Sequence, residues 1–338
     1  MLNSAVINLS VIKRNAENVK AVLGDKSKLC AVVKADAYGH GAEKVASALY
    51  KTADCFAVAL PEEGVSLRLS GIDKEILVLT PLLTGDEKLC VEYGLTASAA
   101  SESDVRRLEK ECAAQGKSVT FHIAYNTGMN RYGADGVKEV CRIADEAARC
   151  KYATLTGLYS HYAAPENDLS FYTATEKFVN AAKIVKNYDI NATCHISASG
   201  GFLRGACFDM VRIGLLLYGY KPFNCGTVNV EPAMRVYAPR VLSRTLKAGS
   251  TALYGETRAQ RTESLSFVRY GYADGLPRKT VKGQFGNRCM DVTAFTENKE
   301  ARFVNVIENV EELASEYGTV TYELLCGAAR RAEKIYVT

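Results

Sequence analysis

Short apolar runs alternate with longer amphipathic stretches through the first two thirds of the chain. The runs at 29–33, 55–59, 76–80, 95–98, 119–124, 155–161, 192–197 and 210–217 have the length of strands. The stretches between them carry helical spacing and end signals. Ser10 precedes 11–23 and Gly24 stops it; Pro61-Glu62-Glu63 opens a helix ending near Gly71. Ser101 precedes 102–115, Gly116 follows, and Glu102 and Asp104 suit the positive end of that helix. Such alternation builds βαβ units on a parallel sheet. Eight units in about 210 residues predict an α/β fold, a (β/α)8 TIM-type barrel. A doubly wound open sheet usually has fewer strands and a glycine-rich loop after the first, and GxGxxG is absent.

After Pro222 the texture changes. Short β-like runs at 235–244, 264–269, 302–306 and 334–337 are interrupted by one helix at 310–317. We expect a barrel over 8–224 and a mainly β C-terminal domain over 225–338, with residues 1–7 joining the second. A chain of 338 residues is long enough for about two domains.

Composition narrows the function. A net charge of +4 without a basic run argues against nucleic acid. The first 25 residues hold no apolar signal core, and no apolar stretch approaches the ~18 residues of a membrane span. Eleven cysteines without CxxC spacing fit reduced thiols in a cytoplasmic enzyme. Four histidines, at 40, 122, 161 and 195, are too dispersed to mark a metal site.

The most informative segment is Val32-Val33-Lys34-Ala35-Asp36-Ala37-Tyr38-Gly39-His40-Gly41. A lysine ends a buried strand and a glycine-containing turn follows. A desolvated lysine becomes a nucleophilic amine of the kind that binds carbonyl cofactors covalently. In a (β/α)8 barrel the C-terminal strand ends line the active site. Lys34 and Tyr38 follow the first strand, Arg131 the fifth, and His161 ends the sixth. His195, Ser197 and Ser199 end the seventh, beside Gly200-Gly201, and Arg212 and Gly214 lie on the eighth. Each alone is as well explained by structure; together they fall on one rim.

From about Asn8 to Tyr336 the chain resembles the alanine racemase family. The resemblance rests on 34–41, Thr-Gly-Met-x-Arg-x-Gly at 127–133, Ser-His-Tyr-Ala at 160–163 and Val-Arg-Ile-Gly at 211–214. It continues through Tyr254-Gly255, Gly-Tyr-Ala-Asp-Gly at 271–275, Cys289-Met290-Asp291 and Thr321-Tyr322-Glu323. It implies a pyridoxal 5'-phosphate enzyme working as a homodimer with shared active sites, interconverting L- and D-alanine and supplying D-alanine for peptidoglycan. On the same resemblance, Lys34 holds the cofactor and acts as one base, while Tyr254 of the partner subunit is the second. Tyr38, Ser199, Tyr322 and the backbone N–H groups of Gly214 and Leu215 hold the phosphate. Arg212 faces the pyridine nitrogen, oriented by His161 and supported by His195. Arg131 meets the cofactor's phenolic oxygen and the substrate carboxylate. Met290 and Asp291 shape the substrate pocket from the other subunit, and Tyr272 stands at its entrance. An arginine keeps its proton, so it leaves the ring nitrogen largely unprotonated. A tyrosine of ordinary pKa, ~10, needs a nearby cation to act as a base.

The chain departs from the family where Lys-x-Asp precedes Thr-Gly-Met: it reads Ala124-Tyr125-Asn126. The lysine there is commonly carbamylated, and alanine cannot be. A chloride near Arg131 would fill the gap; the alternatives are that Arg131 pairs with a nearby side chain, or that the enzyme is retuned to weaker activity or another substrate. The stretch from Gly275 to Cys289 is also short for the family. Tyr322 favours alanine over serine as substrate. Two other readings stay open: a serine or serine/alanine racemase domain of a vancomycin-resistance type protein, and a non-catalytic pyridoxal-phosphate carrier. The extra β domain and Tyr254 speak against the carrier.

Overall fold

The computed structural model describes residues 2–223, 228–296 and 301–338. Two compact units emerge, one of residues 11–35 and 42–232, the other of 1–10, 36–41 and 233–338. The domain boundary expected at 224–225 lies outside the described residues.

The first unit is the barrel. Strands Met210–Ile213, Lys28–Val32, Cys55–Val58 and Ile76–Val78 pair in parallel in that order, as do Ala97–Ala99, Val119–Asn126, Ala153–Tyr159 and Thr193–His195. Leu77 bridges to Thr96 in parallel on one side. Asp209 N donates to Cys194 O (3.1 Å) and Arg212 N to Ser197 O (2.9 Å) on the other. These links join the two sheets into the eight-stranded ring. Its strands are buried on both faces because helices cover the outside. Helix Val137–Ala147 shows how: Val140, Ile143, Ala144 and Ala147 form its buried stripe. The Ser101 hydroxyl caps Asp104 N of helix Glu102–Gln115, and Gly116 ends it at φ 65°.

Most expected strands shift by one to three residues at an end, and two boundaries move for an identifiable reason. Helix Leu9–Leu23 starts before Ser10, which falls inside its first turn. The expected strand at 210–217 stops at Ile213. Its apolar continuation becomes a 3-10 turn, Leu215–Tyr218, whose Tyr218 hydroxyl donates to Val32 O (2.9 Å).

In the second unit a sheet runs in the order Thr293–Phe295, Glu263–Val268, Met234–Leu246, Ser4–Asn8, Glu333–Val337, with Phe303–Asn305 also pairing on Met234–Leu246. Ser4–Asn8 is antiparallel to Met234–Leu246 and parallel to Glu333–Val337, and its Ala5 and Ile7 are fully buried. A second small core gathers Leu246, Leu265, Phe285 and Ala294. The single helix expected here is two: Val310–Tyr317 is joined by Thr321–Ala328. The second was missed because it opens on a β-branched and an aromatic residue and holds Gly327, all weak helix formers. Among the described residues no helix is long and apolar enough to cross a membrane.

Candidate active site

Lys34 opens a five-residue turn, Lys34–Tyr38, directly after the strand Lys28–Val32. The turn is left-handed: φ is 51° at Ala35, 53° at Asp36, 53° at Ala37 and 54° at Tyr38. Non-glycine residues resist this basin by roughly 1–2 kcal/mol each, so the segment stores about 4–8 kcal/mol. Strain of this size persists only where the surroundings over-determine it. The Glu63 carboxylate accepts Ala35 N (2.7 Å) through Oε1, and Ala59 N (2.7 Å) and Leu60 N (3.1 Å) through Oε2. Farther along, Gly41 N donates to Asp36 O (2.8 Å), and the buried His40 Nδ1 donates to Ala37 O (3.0 Å). Lys334 forms an ion pair with Asp36. Gly39 and Gly41 are required sterically: a Cβ would lie 2.6 Å from Leu325 O and 1.9 Å from the Tyr336 hydroxyl.

Arg212 is buried at the heart of the barrel rim. Nη1 donates to His195 Nδ1 (2.6 Å) and His195 O (3.1 Å). Nη2 donates to Ser160 O (2.7 Å), Ile196 O (3.2 Å) and His161 Nδ1 (3.3 Å). Nε takes part in none of these bonds. Burial pulls the arginine's pKa below its ordinary value, and carbonyl acceptors around both terminal nitrogens compensate. His161 is pushed down to about 3 by burial and then by Arg212, Arg131 and Lys34. The fields of three of the expected cations thus reach this imidazole, which stays neutral, and Arg212 alone of the three bonds it. His195 is held well below its usual range by burial and Arg212, and it stacks on Tyr159.

Sequence reasoning set His122 aside, yet its Nδ1 lies 2.9 Å from His195 Nε2. Only the assembled strands bring residues this far apart in sequence into contact. Gly157, on the neighbouring strand, was the one available signal. A Cβ there would come within 2.6 Å of His122 Nε2.

Arg131 has no acidic partner among the described residues. Its Nη2 donates to the Tyr132 hydroxyl (2.9 Å), and the guanidinium lies 4.5 Å over that ring. The Tyr132 hydroxyl in turn donates to Leu79 O (3.1 Å), as does that of Tyr159 (2.6 Å). Asn126 organises the loop before Arg131: its Oδ1 accepts Gly128 N and Asn130 N, both at 3.0 Å, and its Nδ2 donates to Asp135 Oδ1 (2.6 Å). Thr127 Oγ1 bonds Ser160 Oγ (2.8 Å).

Ser199 is buried at the start of the short helix Ser199–Leu203, and Gly214 and Leu215 begin the 3-10 turn after the last barrel strand. In the second unit Tyr38 and Tyr322 approach to 5.7 Å between ring centroids, and burial raises the pKa of both. Tyr254 is 72 % exposed at the tip of the hairpin Thr251–Ala252/Thr257–Arg258. Tyr272 N donates to Cys289 O and Ala273 N to Met290 O, each at 3.0 Å, so the 271–275 turn and the 289–291 loop form one exposed edge. Asp274 serves this turn as a buried cap, accepting Gly271 N (2.7 Å).

The barrel's residues fit an anionic, ring-nitrogen cofactor. Among the described residues the buried Ser197 hydroxyl meets no partner in hydrogen-bond geometry. Beside it, a Cβ on Gly201 would lie 2.7 Å from Ser197 Oγ and 2.8 Å from the Tyr162 ring, so packing requires glycine there. Arg212 keeps Nε outside its protein bonds, and Lys34 supplies an amine on the same rim. A (β/α)8 barrel with this lysine and this arginine defines a barrel-type pyridoxal-phosphate enzyme. The N-terminal domain of alanine racemase matches residues 7–222 and its C-terminal domain residues 233–336, and the chain belongs to the alanine racemase family. It is 33 % identical to alanine racemase of Aquifex aeolicus over 98 % of both chains. It is 32 % identical to alanine racemase 2 of Caldanaerobacter subterraneus, covering 98 % of this chain and 94 % of that one. The solved alanine racemase of Clostridium difficile superposes with a TM-score of 0.91 at 27 % identity, covering 100 % of this chain and 96 % of that one.

Proposed function

We propose that this protein interconverts L- and D-alanine with pyridoxal 5'-phosphate, acting in the cytoplasm and supplying D-alanine for peptidoglycan. The observation that carries the reading is Lys34 at the end of its barrel strand together with the buried Arg212, fixed through Nη1 and Nη2 by His195, His161 and strand-end carbonyls at the same rim. When bound, the cofactor acidifies the α-hydrogen of an attached amino acid. Lys34 Nζ holds the cofactor and then moves a proton on one face of the α-carbon. The Tyr254 hydroxyl of the partner subunit moves one on the opposite face, and its exposure at a hairpin tip suits a role toward a second copy. Arg212 would meet the ring nitrogen through Nε, with His161 and His195 holding its plane. Arg131 seats the phenolic oxygen and the substrate carboxylate. Ser199, Tyr38, Tyr322 and the N–H groups of Gly214 and Leu215 hold the phosphate, neutral donors that suit a dianion. The barrel, 8–224, carries the cofactor. Met290 and Asp291 of the second domain, 225–338, shape the partner's substrate pocket, with Tyr272 at its entrance.

A chloride seated against Arg131, in the space left by Ala124, is a further part of this reading. It is favoured by the lack of an acidic partner for Arg131 among the described residues. The test of function is direct: cofactor-loaded protein is given L-alanine and, separately, L-serine, and the D-enantiomer is measured. Equilibration of alanine ahead of serine is the expected result. A protein that holds the cofactor on Lys34 and leaves alanine unchanged refutes the proposal.

A further inference from the structure

The polar column below Arg212 continues past His195. His195 Nε2 and His122 Nδ1 are 2.9 Å apart, and His122 Nε2 lies 3.9 Å from Glu75 Oε1. Glu75 Oε1 also accepts from Thr96 Oγ1 (3.1 Å), which bonds Thr120 Oγ1 (3.0 Å). A barrel interior is ordinarily filled with branched apolar side chains. Here two imidazoles occupy it, and Gly157 forgoes a side chain to admit the second.

The proton positions follow from one end. An arginine only donates, so Arg212 Nη1–H points at an unprotonated His195 Nδ1. His195 then carries its proton on Nε2 and donates to His122 Nδ1. His122 in turn carries its proton on Nε2, facing the Glu75 carboxylate. Each ring is neutral and every dipole points the same way, from cation to anion. Burial favours neutral rings: His122 is pushed down to about 3. The column is not a proton conduit, because Arg212 cannot release a proton into it.

We infer that His122 is a positioning residue for Arg212: by accepting from His195 Nε2–H it fixes at both nitrogens the ring that Arg212 Nη1 bonds, and Glu75 biases the column from its far end. The inference rests on the reading of Arg212 as the group facing the ring nitrogen. The guanidinium is planar, so fixing Nη1 and Nη2 fixes the direction of Nε. With an apolar residue at 122, the His195 Nε2–H loses its acceptor, so the ring is held from the Arg212 side alone and the orientation of both loosens.

The test uses the cofactor-loaded protein with 15N-labelled histidine; four histidines give a readable spectrum. His122 and His195 are expected as neutral Nε2–H tautomers from pH 5 to 8, read without substrate. In His122→Leu, the His195 Nε2–H resonance shifts as its acceptor is lost and kcat for alanine falls about tenfold with KM nearly unchanged, in line with losing one fixed hydrogen bond. His122→Asn, whose Oδ1 takes the place of Nδ1, restores both signals. Glu75→Gln, at a half-exposed site, moves the His122 Nε2 resonance and leaves the fold intact. An Nδ1–H or titrating His122 in the parent protein overturns the inference, as does equal kcat in the Leu and Asn variants. Failure of the parent protein to racemise alanine faults the functional reading alone, since the tautomers are measured independently of turnover.

Discussion

Replacing alanine by glycine normally weakens a protein, and at Ala35 the sign should reverse. Ala35 is exposed and sits at φ 51°, in the basin L-residues avoid. Glycine adopts that basin without penalty, a relief of about 1–2 kcal/mol. Against this stands the extra freedom glycine gives the unfolded chain, about 0.4–1 kcal/mol. The Ala35 N–H bond to Glu63 survives the change. Ala35→Gly is therefore expected to be neutral to stabilising, by up to about 1.6 kcal/mol. The matched control is Ala113→Gly, exposed in the ordinary helix Glu102–Gln115, which should cost about 0.5–1 kcal/mol. Urea unfolding of both variants and the parent, at one protein and cofactor concentration, measures the pair. Turnover should fall in the more stable variant by about twofold to tenfold, because Lys34 is held less tightly. If Ala35→Gly weakens the protein as much as Ala113→Gly does, the account of strain beside Lys34 is wrong.

Lys34→Ala should abolish the borohydride-trapped cofactor adduct; an adduct persisting on another lysine would move the assignment. Tyr254→Phe should keep the cofactor and lose racemisation by about 10²–10⁴. Mixing it with Lys34→Ala should restore part of the activity, and no restoration after verified subunit exchange counts against shared sites. Tyr132→Phe removes the hydroxyl that Arg131 bonds, so activity should become more dependent on millimolar chloride at constant ionic strength; an unchanged chloride response argues against both partners. Acid should unfold the protein early. His122 and His40 are buried with pKa values of about 3 and about 4, against 6.5 when exposed. The unfolded chain thus takes up protons first, and stability that is complete above pH 6.5 is lost as pH falls toward 4. Urea midpoints at pH 8, 6 and 4.5 check this, and a midpoint constant across that range contradicts it.

The barrel was legible because its strands are apolar on both faces and its helices carry caps such as Ser101 and Gly116. Ends were less legible: Leu215 to Leu217 continue the apolar pattern of the last strand, and only the backbone at Gly214 turns them into a 3-10 helix. The left-handed turn left little trace, since Ala35, Ala37 and Tyr38 are not residues that signal positive φ and Asp36 is only a weak one. Gly39 and Gly41 hinted at it more clearly. Candidate groups at strand ends could be read by counting strands. His122 could not, because its value depends on which strand interiors face each other. Tyr132 was invisible as a partner of Arg131 for a different reason: neighbours in sequence usually point apart, and here the ring folds back beneath the guanidinium.

Residues 35–38 hold torsions that belong to the mirror-image backbone. By symmetry, a D-amino acid is at ease where they sit. Glycine at 35 relieves the turn but loosens it, whereas D-alanine, introduced by chemical synthesis, would relieve it and keep the methyl that restricts it. The segment is in effect a short piece of opposite-handed polymer spliced into an otherwise right-handed chain. Its stereochemistry, and not only its contacts, confines the lysine that precedes it.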